Sequence, residues 1–242
     1  QVKIKLHREI PGKIKTVTIA PKNGKYYAYF TVEMEVNPLP VTKKCVGIDV
    51  GVISFVATSD GLLIEAPRSY RKAEKRLKTL QRKVSRRKKG SNRRKKSVQK
   101  LARAHEKIAN QRKDIAHKTA RYLVDNYDLI AHEDLQIKNM VKNHYLAKSI
   151  QDSGWGIFFN ILVCKAAEAG RLVVKVPPRY TSQICSGCGA LIKKTLAVRA
   201  HNCPYCGLKL DRDVNSSRVV LATALKILGL DGAFGDSLAA AG

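Results

Sequence analysis

The chain has 242 residues, 44% of them hydrophobic, and its 46 Lys and Arg against 19 Asp and Glu give a formal net charge of +27. The hydrophobic fraction supports a packed core and excludes general disorder. The excess of positive charge indicates a polyanionic partner, with nucleic acid ahead of an acidic membrane surface. No apolar stretch reaches the roughly 18–20 residues of a membrane span, so we expect no membrane partner.

The N-terminal residues Gln1–Lys5 contain neither the apolar core of a signal peptide nor an initiator Met. We therefore expect the sequence to begin inside a longer protein. Four of the six cysteines form two Cys-x-x-Cys pairs. Such pairs indicate metal binding rather than a disulfide framework, and they predict a reducing, intracellular setting.

Residues 1–36 alternate apolar and polar side chains, first in Val2–Leu6 and then in two longer segments. The pair Asn23-Gly24 is a turn signal between those longer segments. This pattern predicts a small antiparallel β unit, incomplete at its N-terminal side, which ends in a linker at Pro38-Leu39-Pro40.

Three further apolar segments predict a second β unit. They are Val46–Val50, Val52–Thr58 and Leu62–Ala66, and the pair Asp60-Gly61 marks a turn between the last two. Asp49 therefore lies near the end of the first strand of this unit.

Positive charge is concentrated between Arg68 and Arg121, where 23 Lys and Arg face only three acidic residues. The spacing of the apolar residues predicts two long helices that are broken near Gly90-Ser91-Asn92, with the second helix ending near Asn126. A solvated helical surface is the alternative interpretation. Because like charges repel along such helices, contact with nucleic-acid phosphates is the better one. The predicted contact residues are Arg86, Arg87, Lys88, Lys89, Arg93, Arg94, Lys95 and Lys96.

Past this basic hairpin, the apolar segment Leu129–Ala131 predicts a buried strand that leads into Glu133. A helix from Trp155 to about Gly170 and a strand at Leu172–Val176 follow.

Three acidic residues lie at the ends of predicted elements. Asp49 and Glu133 follow apolar strands, and Asp213 lies where a helix begins. Carboxylates from distant parts of a chain can converge on Mg²⁺, and a pair of such ions can hydrolyse a phosphodiester. Each residue taken alone could equally be a turn or cap residue.

The cysteine pairs carry a stronger signal. Cys185, Cys188, Cys203 and Cys206 have the spacing and the small turn residues of two metal-binding knuckles. Four thiolates suit one tetrahedral Zn²⁺ and leave no open coordination position, so we predict a structural zinc site.

Four motifs together resemble the TnpB family of transposon-encoded, RNA-guided DNA endonucleases, which are relatives of the compact type V CRISPR effectors. The motifs occur in the family's order and span nearly the whole chain. They are Gly47–Gly51, Ala131–Leu135, Thr181–Gly189 and Asp211–Asn215.

The resemblance implies an α/β protein with an RNase H-like nuclease domain of the RuvC type and a zinc-ribbon insertion. It implies that Asp49, Glu133 and Asp213 are the catalytic, Mg²⁺-binding residues, with Asp213 preferred to Asp211 because the family's third motif is Asp-x-Asn. The implied partners are a guide RNA and a target DNA, in the cytoplasm of a prokaryotic cell and at its nucleoid. The implied domains are a partial wedge unit over 1–40, the nuclease domain over 41–180 with the basic hairpin at 68–126, the zinc ribbon over 181–210, the last motif and its helix over 211–230, and a flexible tail over 231–242.

Two departures from the family pattern stand out. The N-terminal recognition helices and the first wedge strands are absent, and Ser216-Ser217 replaces the usual pair of alanines. The first departure predicts poor target recognition by this chain alone. Two other functions remain open at this point. One is a binding protein that does not cleave, either an RNA chaperone or a guide-directed DNA-binding repressor, and the other is a transposase that joins DNA strands or an auxiliary factor in transposition.

Overall fold

A computed structural model describes residues 3–195 and 198–230. The chain divides into two compact units, of which the first comprises the residues up to Asn37 together with Tyr70–Asn110. The second comprises Pro38–Ser69 and the residues from Gln111 onward. The tail predicted for residues 231–242 lies outside the described residues.

The first unit contains one β-hairpin. Strands β1 (Lys13–Lys22) and β2 (Lys25–Glu33) pair antiparallel around a two-residue turn. Asn23 and Gly24 adopt φ of 52° and 78° there, which is the left-handed pair that a tight hairpin turn requires. The strand predicted at Val2–Leu6 is wrong for the described part of that segment, which forms no strand. Alternation alone does not make a strand when no neighbouring strand satisfies its backbone hydrogen bonds.

The basic hairpin consists of two helices, as predicted. Helix α1 covers Ser69–Ser85 and helix α2 covers Asn92–Asn126, with Gly90 in a left-handed conformation between them. The buried apolar residues of its first-unit part include Leu77, Val84 and Ile108. The apolar seam is therefore narrow and the rest of the helical surface carries the charge.

The second unit is built on a mixed five-stranded sheet. Its strands are β3 (Cys45–Asp49), β4 (Ser54–Thr58), β5 (Leu63–Glu65), β6 (Leu129–Glu133) and β7 (Leu172–Val176). Strands β3 and β4 pair antiparallel, as do β4 and β5, whereas β6 and β7 both run parallel to β3. The order across the sheet is β5-β4-β3-β6-β7.

Helices cover both faces of this sheet. Two short helices that the sequence did not predict, α3 (Ile137–Met140) and α4 (His144–Ser153), precede α5 (Trp155–Ala169). Helix α5 and the C-terminal part of α2 share a core with side chains of one sheet face, and α6 (Arg212–Ile227) packs against the other. Side chains alternate between the two faces along each strand. Ile130 accordingly belongs to the α5 core, whereas Ala131 belongs to the α6 core.

Gly47 explains how closely α6 approaches the sheet. A Cβ at this position would lie 2.0 Å from the carbonyl oxygen of Ser217 and 2.7 Å from the backbone nitrogen of Leu221. The backbone of α6 thus rests directly on β3, with no side chain between them. This contact fixes the start of α6 relative to the end of β3.

A second short hairpin precedes α6. Its strands, β8 (Ala200–Asn202) and β9 (Lys209–Asp211), pair antiparallel and were not predicted. No helix within the described ranges is both long and apolar enough to cross a membrane.

Candidate functional site

Strands β3 and β6 bring two carboxylates to the same edge of the sheet. The strands are parallel, and Ile48 is in register with His132, so Asp49 and Glu133 follow side by side at their ends. Ile48 belongs to the α5 core, and the His132 ring stacks on Phe159 of α5 at 4.2 Å between centroids. Because side chains alternate along a strand, the next residue on each strand faces α6.

The first turn of α6 supplies the third carboxylate. Asp211 is the N-cap residue, and its side chain accepts hydrogen bonds from the backbone nitrogens of Asp213 and Val214 at 2.8 and 3.3 Å. Asp211 and not Asp213 therefore caps the helix, and the Asp213 side chain is free for another role. Asp213 is only 8% exposed. Its Oδ2 lies 3.6 Å from the position that a Cβ would take at Gly51, just beyond the end of β3. The structure thus brings all three predicted acidic residues to one place.

The pKa values of these carboxylates reflect their burial and their closeness to one another. Burial, and then the negative charges of Glu133 and Asp213, raise the pKa of Asp49 well above its usual range, against smaller opposing effects of Arg212 and Ser216. Burial also raises the pKa of Glu133, although a hydrogen bond from Thr181 works against it. A half-buried group of carboxylates that repel one another is poorly stable as an anion cluster. Added positive charge would relieve that repulsion, which is the setting that a cation site requires.

Three polar residues that the sequence analysis assigned no role contact these carboxylates. Arg212 donates from Nε and Nη2 to Oδ1 of Asp213 at 3.0 and 2.8 Å. The Thr181 hydroxyl donates to Glu133, and the buried Ser216 hydroxyl lowers the pKa of Asp49. Their place in the sequence could have indicated such a role, because all three residues lie in or directly beside the four family motifs. Among the described residues, the carboxylate oxygens of Asp49, Glu133 and Asp213 do not all lie within 4.8 Å of one another.

The four predicted cysteines do form such a cluster. Their sulfur atoms all lie within 4.8 Å of one another, and the pairs Cys185–Cys206 and Cys188–Cys203 are each 3.6 Å apart. All four are free thiols. Tetrahedral zinc with sulfur ligands at about 2.3 Å would place those sulfurs about 3.8 Å apart, so the spacing fits a metal ion of that kind.

The acidities of these thiols also favour a cation. Burial raises the pKa of Cys203, but backbone N–H groups of Cys206 and Tyr205 donate to its sulfur and bring the pKa down to about 6. The N–H of Leu208 lowers the pKa of Cys206, but the neighbouring sulfurs and burial outweigh it and raise the pKa to about 12. Four thiolates at this spacing therefore require positive charge among them.

Asn215 connects the cysteine cluster to the acidic site. This fully buried residue of α6 donates from Nδ2 to the carbonyl oxygen of Ile184 at 2.8 Å and accepts from the backbone nitrogen of Ser186 at 2.9 Å. Both partners flank Cys185. The first knuckle is thus held to the same helical turn that carries Asp213.

The eight predicted phosphate-contact residues lie at the helical break of the first unit. Arg86–Lys89 follow the end of α1, and Arg93–Lys96 lie in the first turn of α2. Seven of them are exposed, and Arg94 is half-buried. The Arg87 Nη1 donates to the carbonyl oxygen of Arg93 at 3.3 Å, so the two basic runs lie next to each other. None of the eight forms an ion pair with an acidic side chain among the described residues.

Two family models match the chain. Residues 29–144 match a model described as "Probable transposase", of the OrfB type found in IS605 elements, and residues 155–220 match the TNB domain of Cas12f1-like proteins. The second match contains the four cysteines and Asp213. The chain belongs to the TnpB family. This confirms the resemblance that its four motifs indicated.

Two curated relatives cover most of the chain. A Streptomyces pristinaespiralis protein named "Putative RNA-guided DNA endonuclease" is 38% identical over 87% of this chain and 53% of its own length. An Escherichia coli protein named "Putative RNA-guided DNA endonuclease InsQ" is 35% identical over 91% of this chain and 59% of its own length. This TnpB-family chain therefore spans a little over half the length of those relatives.

Solved structures give the same fold. The chain superposes on a protein in a cryo-EM structure of a Cas12f1–sgRNA–target DNA complex with a TM-score of 0.53 and 17% identity, covering 85% of this chain and 55% of that one. A CRISPR-Cas12f ternary complex gives a TM-score of 0.54 and 18% identity, with 85% and 44% coverage. At these identities the likeness concerns the fold.

Proposed function

We propose that this chain is the nuclease part of an RNA-guided DNA endonuclease encoded by a transposable element. The observation that carries the proposal is the meeting of Asp49, Glu133 and Asp213 at the ends of two parallel strands and in the first turn of α6. The names of the two curated relatives support the same activity. A protein that only binds nucleic acid has no need for three mutually repelling carboxylates at such a position.

We assign the second unit to the RNase H-like fold of the RuvC type. The support is the sheet, in which an antiparallel run from β3 to β5 is followed by two strands parallel to β3. In this arrangement the central strand carries Asp49, and its parallel neighbour carries Glu133. A helix on one face then supplies the third carboxylate.

The carboxylates have the hard oxygen atoms that Mg²⁺ prefers, and their raised pKa values fit a site where a cation would relieve repulsion between negative charges. Asp49, Glu133 and Asp213 would together hold two such ions. When bound, such ions supply activation of a water molecule and stabilisation of the leaving oxygen of a phosphodiester.

The surrounding residues orient these ligands. Thr181 donates one hydrogen bond to Glu133 and so restricts the rotation of that side chain. Arg212 holds Oδ1 of Asp213, which leaves Oδ2 on the side of Gly51. Arg212 also balances part of the negative charge of the site.

We assign a structural zinc ion to Cys185, Cys188, Cys203 and Cys206. A full set of four sulfur ligands leaves no position for a substrate. Through Asn215 the zinc knuckle supports the first turn of α6, so its contribution to cleavage is to position Asp213.

The basic hairpin would hold a guide RNA paired with target DNA. Its exposed Lys and Arg contact phosphates, which carry no sequence information. Base pairing with the guide then selects the target. We further propose that this chain alone binds RNA and duplexes but cuts a chosen target poorly, and that the longer form of its relatives is needed for accurate cutting.

The test is to express the protein together with the DNA of its element and to sequence any RNA that co-purifies. We expect a defined RNA, and we expect exchange of its 3′ segment to redirect cleavage to the matching DNA when the longer form is used. A protein with bound RNA that cuts no matching DNA would be a guide-directed binding protein instead. A protein without bound RNA would contradict the guided mechanism.

A further inference from the structure

The loop after β7 carries an exposed aromatic residue next to the acidic site. Tyr180 is 44% exposed, and it directly precedes Thr181, whose hydroxyl donates to Glu133. Neighbouring Cα atoms along a chain are about 3.8 Å apart, so the backbone of Tyr180 lies close to the carboxylate group. A single exposed tyrosine is common on protein surfaces and by itself indicates nothing.

The backbone of this residue is unusual. Tyr180 has φ of 64°, and it is the one aromatic among the four non-glycine residues with positive φ in the described chain. Bulky side chains rarely adopt this conformation, and residues that do so concentrate at functional sites. The backbone nitrogens of Gln183 and Ile184 donate to its carbonyl oxygen at 2.8 and 2.9 Å. These two bonds hold the backbone in the strained conformation, and so they fix the direction in which the side chain leaves the chain.

Arg179 supports the ring and supplies charge. Its guanidinium lies 4.9 Å from the centre of the Tyr180 ring, and its Nη2 donates to the Tyr180 hydroxyl at 3.3 Å. Arg179 is exposed, and no carboxylate in the described part of the chain forms an ion pair with it. A cation stacked on an aromatic ring, next to a site for phosphodiester chemistry, matches the chemistry of an unpaired nucleotide.

We infer that Arg179 and Tyr180 form a stacking platform for a base of the single-stranded DNA that enters the acidic site. One base stacks on the Tyr180 ring, the guanidinium of Arg179 attracts the adjoining phosphate, and the strand then passes Thr181 towards Glu133. Stacking does not depend on base-edge hydrogen bonds, so the platform accepts any base. The inference rests on the proposed nuclease function and adds a binding site to it.

The experiment measures binding separately from cleavage, in the Asp49→Ala background. The probes are a single-stranded DNA that contains 2-aminopurine, the same sequence as RNA, and the matching DNA duplex. A salt concentration of about 300 mM weakens the phosphate contacts of the basic hairpin and leaves stacking more visible. Tyr180→Asn removes the ring, and Asn tolerates positive φ better than most non-glycine residues, so added backbone strain is not a confounding factor.

We expect Tyr180→Asn to weaken single-stranded DNA binding about tenfold and to abolish the change in 2-aminopurine fluorescence, while duplex binding changes less than about twofold. Tyr180→Phe keeps the ring and should retain both signals. Tyr145 is 81% exposed on α4, and Tyr145→Asn is the matched control that should behave like the parent. In the cleaving protein, Tyr180→Asn should raise the KM for single-stranded DNA more than it lowers kcat.

Several outcomes would overturn the inference. They are equal losses for Tyr180→Asn and Tyr145→Asn, a loss for Tyr180→Phe as large as that for Tyr180→Asn, an equal loss on the duplex, or an effect confined to RNA. The binding measurements need no cleavage. A protein that never cuts DNA but still shows the fluorescence change would therefore contradict the proposed function, while it would still support the stacking platform.

Discussion

Asp211 and Asp213 lie two residues apart, yet the structure gives them different surroundings. Asp211 is exposed and caps α6, whereas Asp213 is buried and faces Arg212. The sequence alone left open which of them caps the helix, because both are acidic residues at a helix start. Helix caps depend on which residue has the extended backbone, and that is set by where β9 ends.

A pair of substitutions separates these two roles. We expect Asp213→Ala to abolish Mg²⁺-dependent cleavage, whereas Asp211→Ala should keep it and lower the free energy of unfolding by about 1 kcal/mol through loss of the cap. Cleavage assays and urea unfolding of the two variants measure both effects. An inactive Asp211→Ala with full activity in Asp213→Ala would reverse the assignment.

The raised pKa of Asp49 predicts how the stability of the protein changes with pH. Because its folded pKa lies above the ordinary value of about 3.8, the folded state binds more protons than the unfolded state between those two values. Stability of the metal-free protein should therefore fall as pH rises through that interval. Asp49→Asn removes the charge and should raise the Tm at neutral pH by about 2–4 °C, which corresponds to roughly 1 kcal/mol.

Calorimetry with and without Mg²⁺ checks this prediction. Mg²⁺ should raise the Tm of the parent more than that of Asp49→Asn, because the variant has lost a ligand. Asp114→Asn, at an exposed position of α2, is the control and should leave both values unchanged. Identical Mg²⁺ responses in parent and Asp49→Asn would argue against a cation at Asp49.

At the scale of elements, the apolar patterns predicted both long helices and all five strands of the mixed sheet. The short elements α3, α4, β8 and β9 carry too few residues for a pattern and depend on tertiary contacts. The two hydrogen bonds between Asn215 and the first knuckle could not be predicted from the sequence either, because the partners are backbone groups about 30 residues away. The sequence motifs therefore predicted which residues form the site. The packing of α6 on β3, which the sequence did not predict, brings Asp213 close to Asp49.

That packing depends on Gly47. Gly47→Ala should lower the free energy of unfolding by about 3 kcal/mol or more, since the new Cβ meets backbone atoms of α6 that cannot rotate away. Displacement of α6 also moves Asp213, so cleavage should fall with it. Gly156→Ala is the control, because its Cβ finds ordinary contact at 3.8 Å and should be neutral. Equal stabilities of the two variants in urea would show that α6 is not held at this point.

The zinc knuckle offers a second pair of variants. Cys206→Ser should lose the metal, and elemental analysis should find clearly less than the one zinc per chain expected of the parent. The soluble yield of the variant should fall as well, because metal binding contributes to folding. Asn215→Ala should keep the zinc but lower the free energy of unfolding by about 2 kcal/mol, because it removes two hydrogen bonds to half-buried backbone groups. Protein that lacks zinc yet keeps a protease-resistant C-terminal third would contradict the structural role of the four cysteines.

For the whole molecule, charge sets the binding behaviour. Affinity for nucleic acid should fall roughly 10³-fold or more between 50 and 200 mM salt if about six phosphates are contacted. Neutralising Arg86, Arg87, Lys88 and Lys89 to Gln should reduce the slope of log affinity against log salt by about three units, without changing sequence preference.

A second quadruple variant controls for the loss of net charge. Lys138, Lys142, Lys193 and Lys226 are exposed in the second unit, and their replacement by Gln removes the same charge. We expect that variant to change the slope by less than about one unit. Equal changes in the two variants would show that the basic hairpin is no special phosphate-binding surface.

The central claim is that the three carboxylates hold the cations that cut DNA. Its most direct test compares the parent with Asp49→Ala, in the longer form with its guide RNA, for Mg²⁺-dependent cleavage and for nucleic-acid affinity. We predict that Asp49→Ala abolishes cleavage and leaves affinity within a few-fold, because one carboxylate hardly alters a surface of net charge +27. Equal cleavage by Asp49→Ala and the parent would contradict the account.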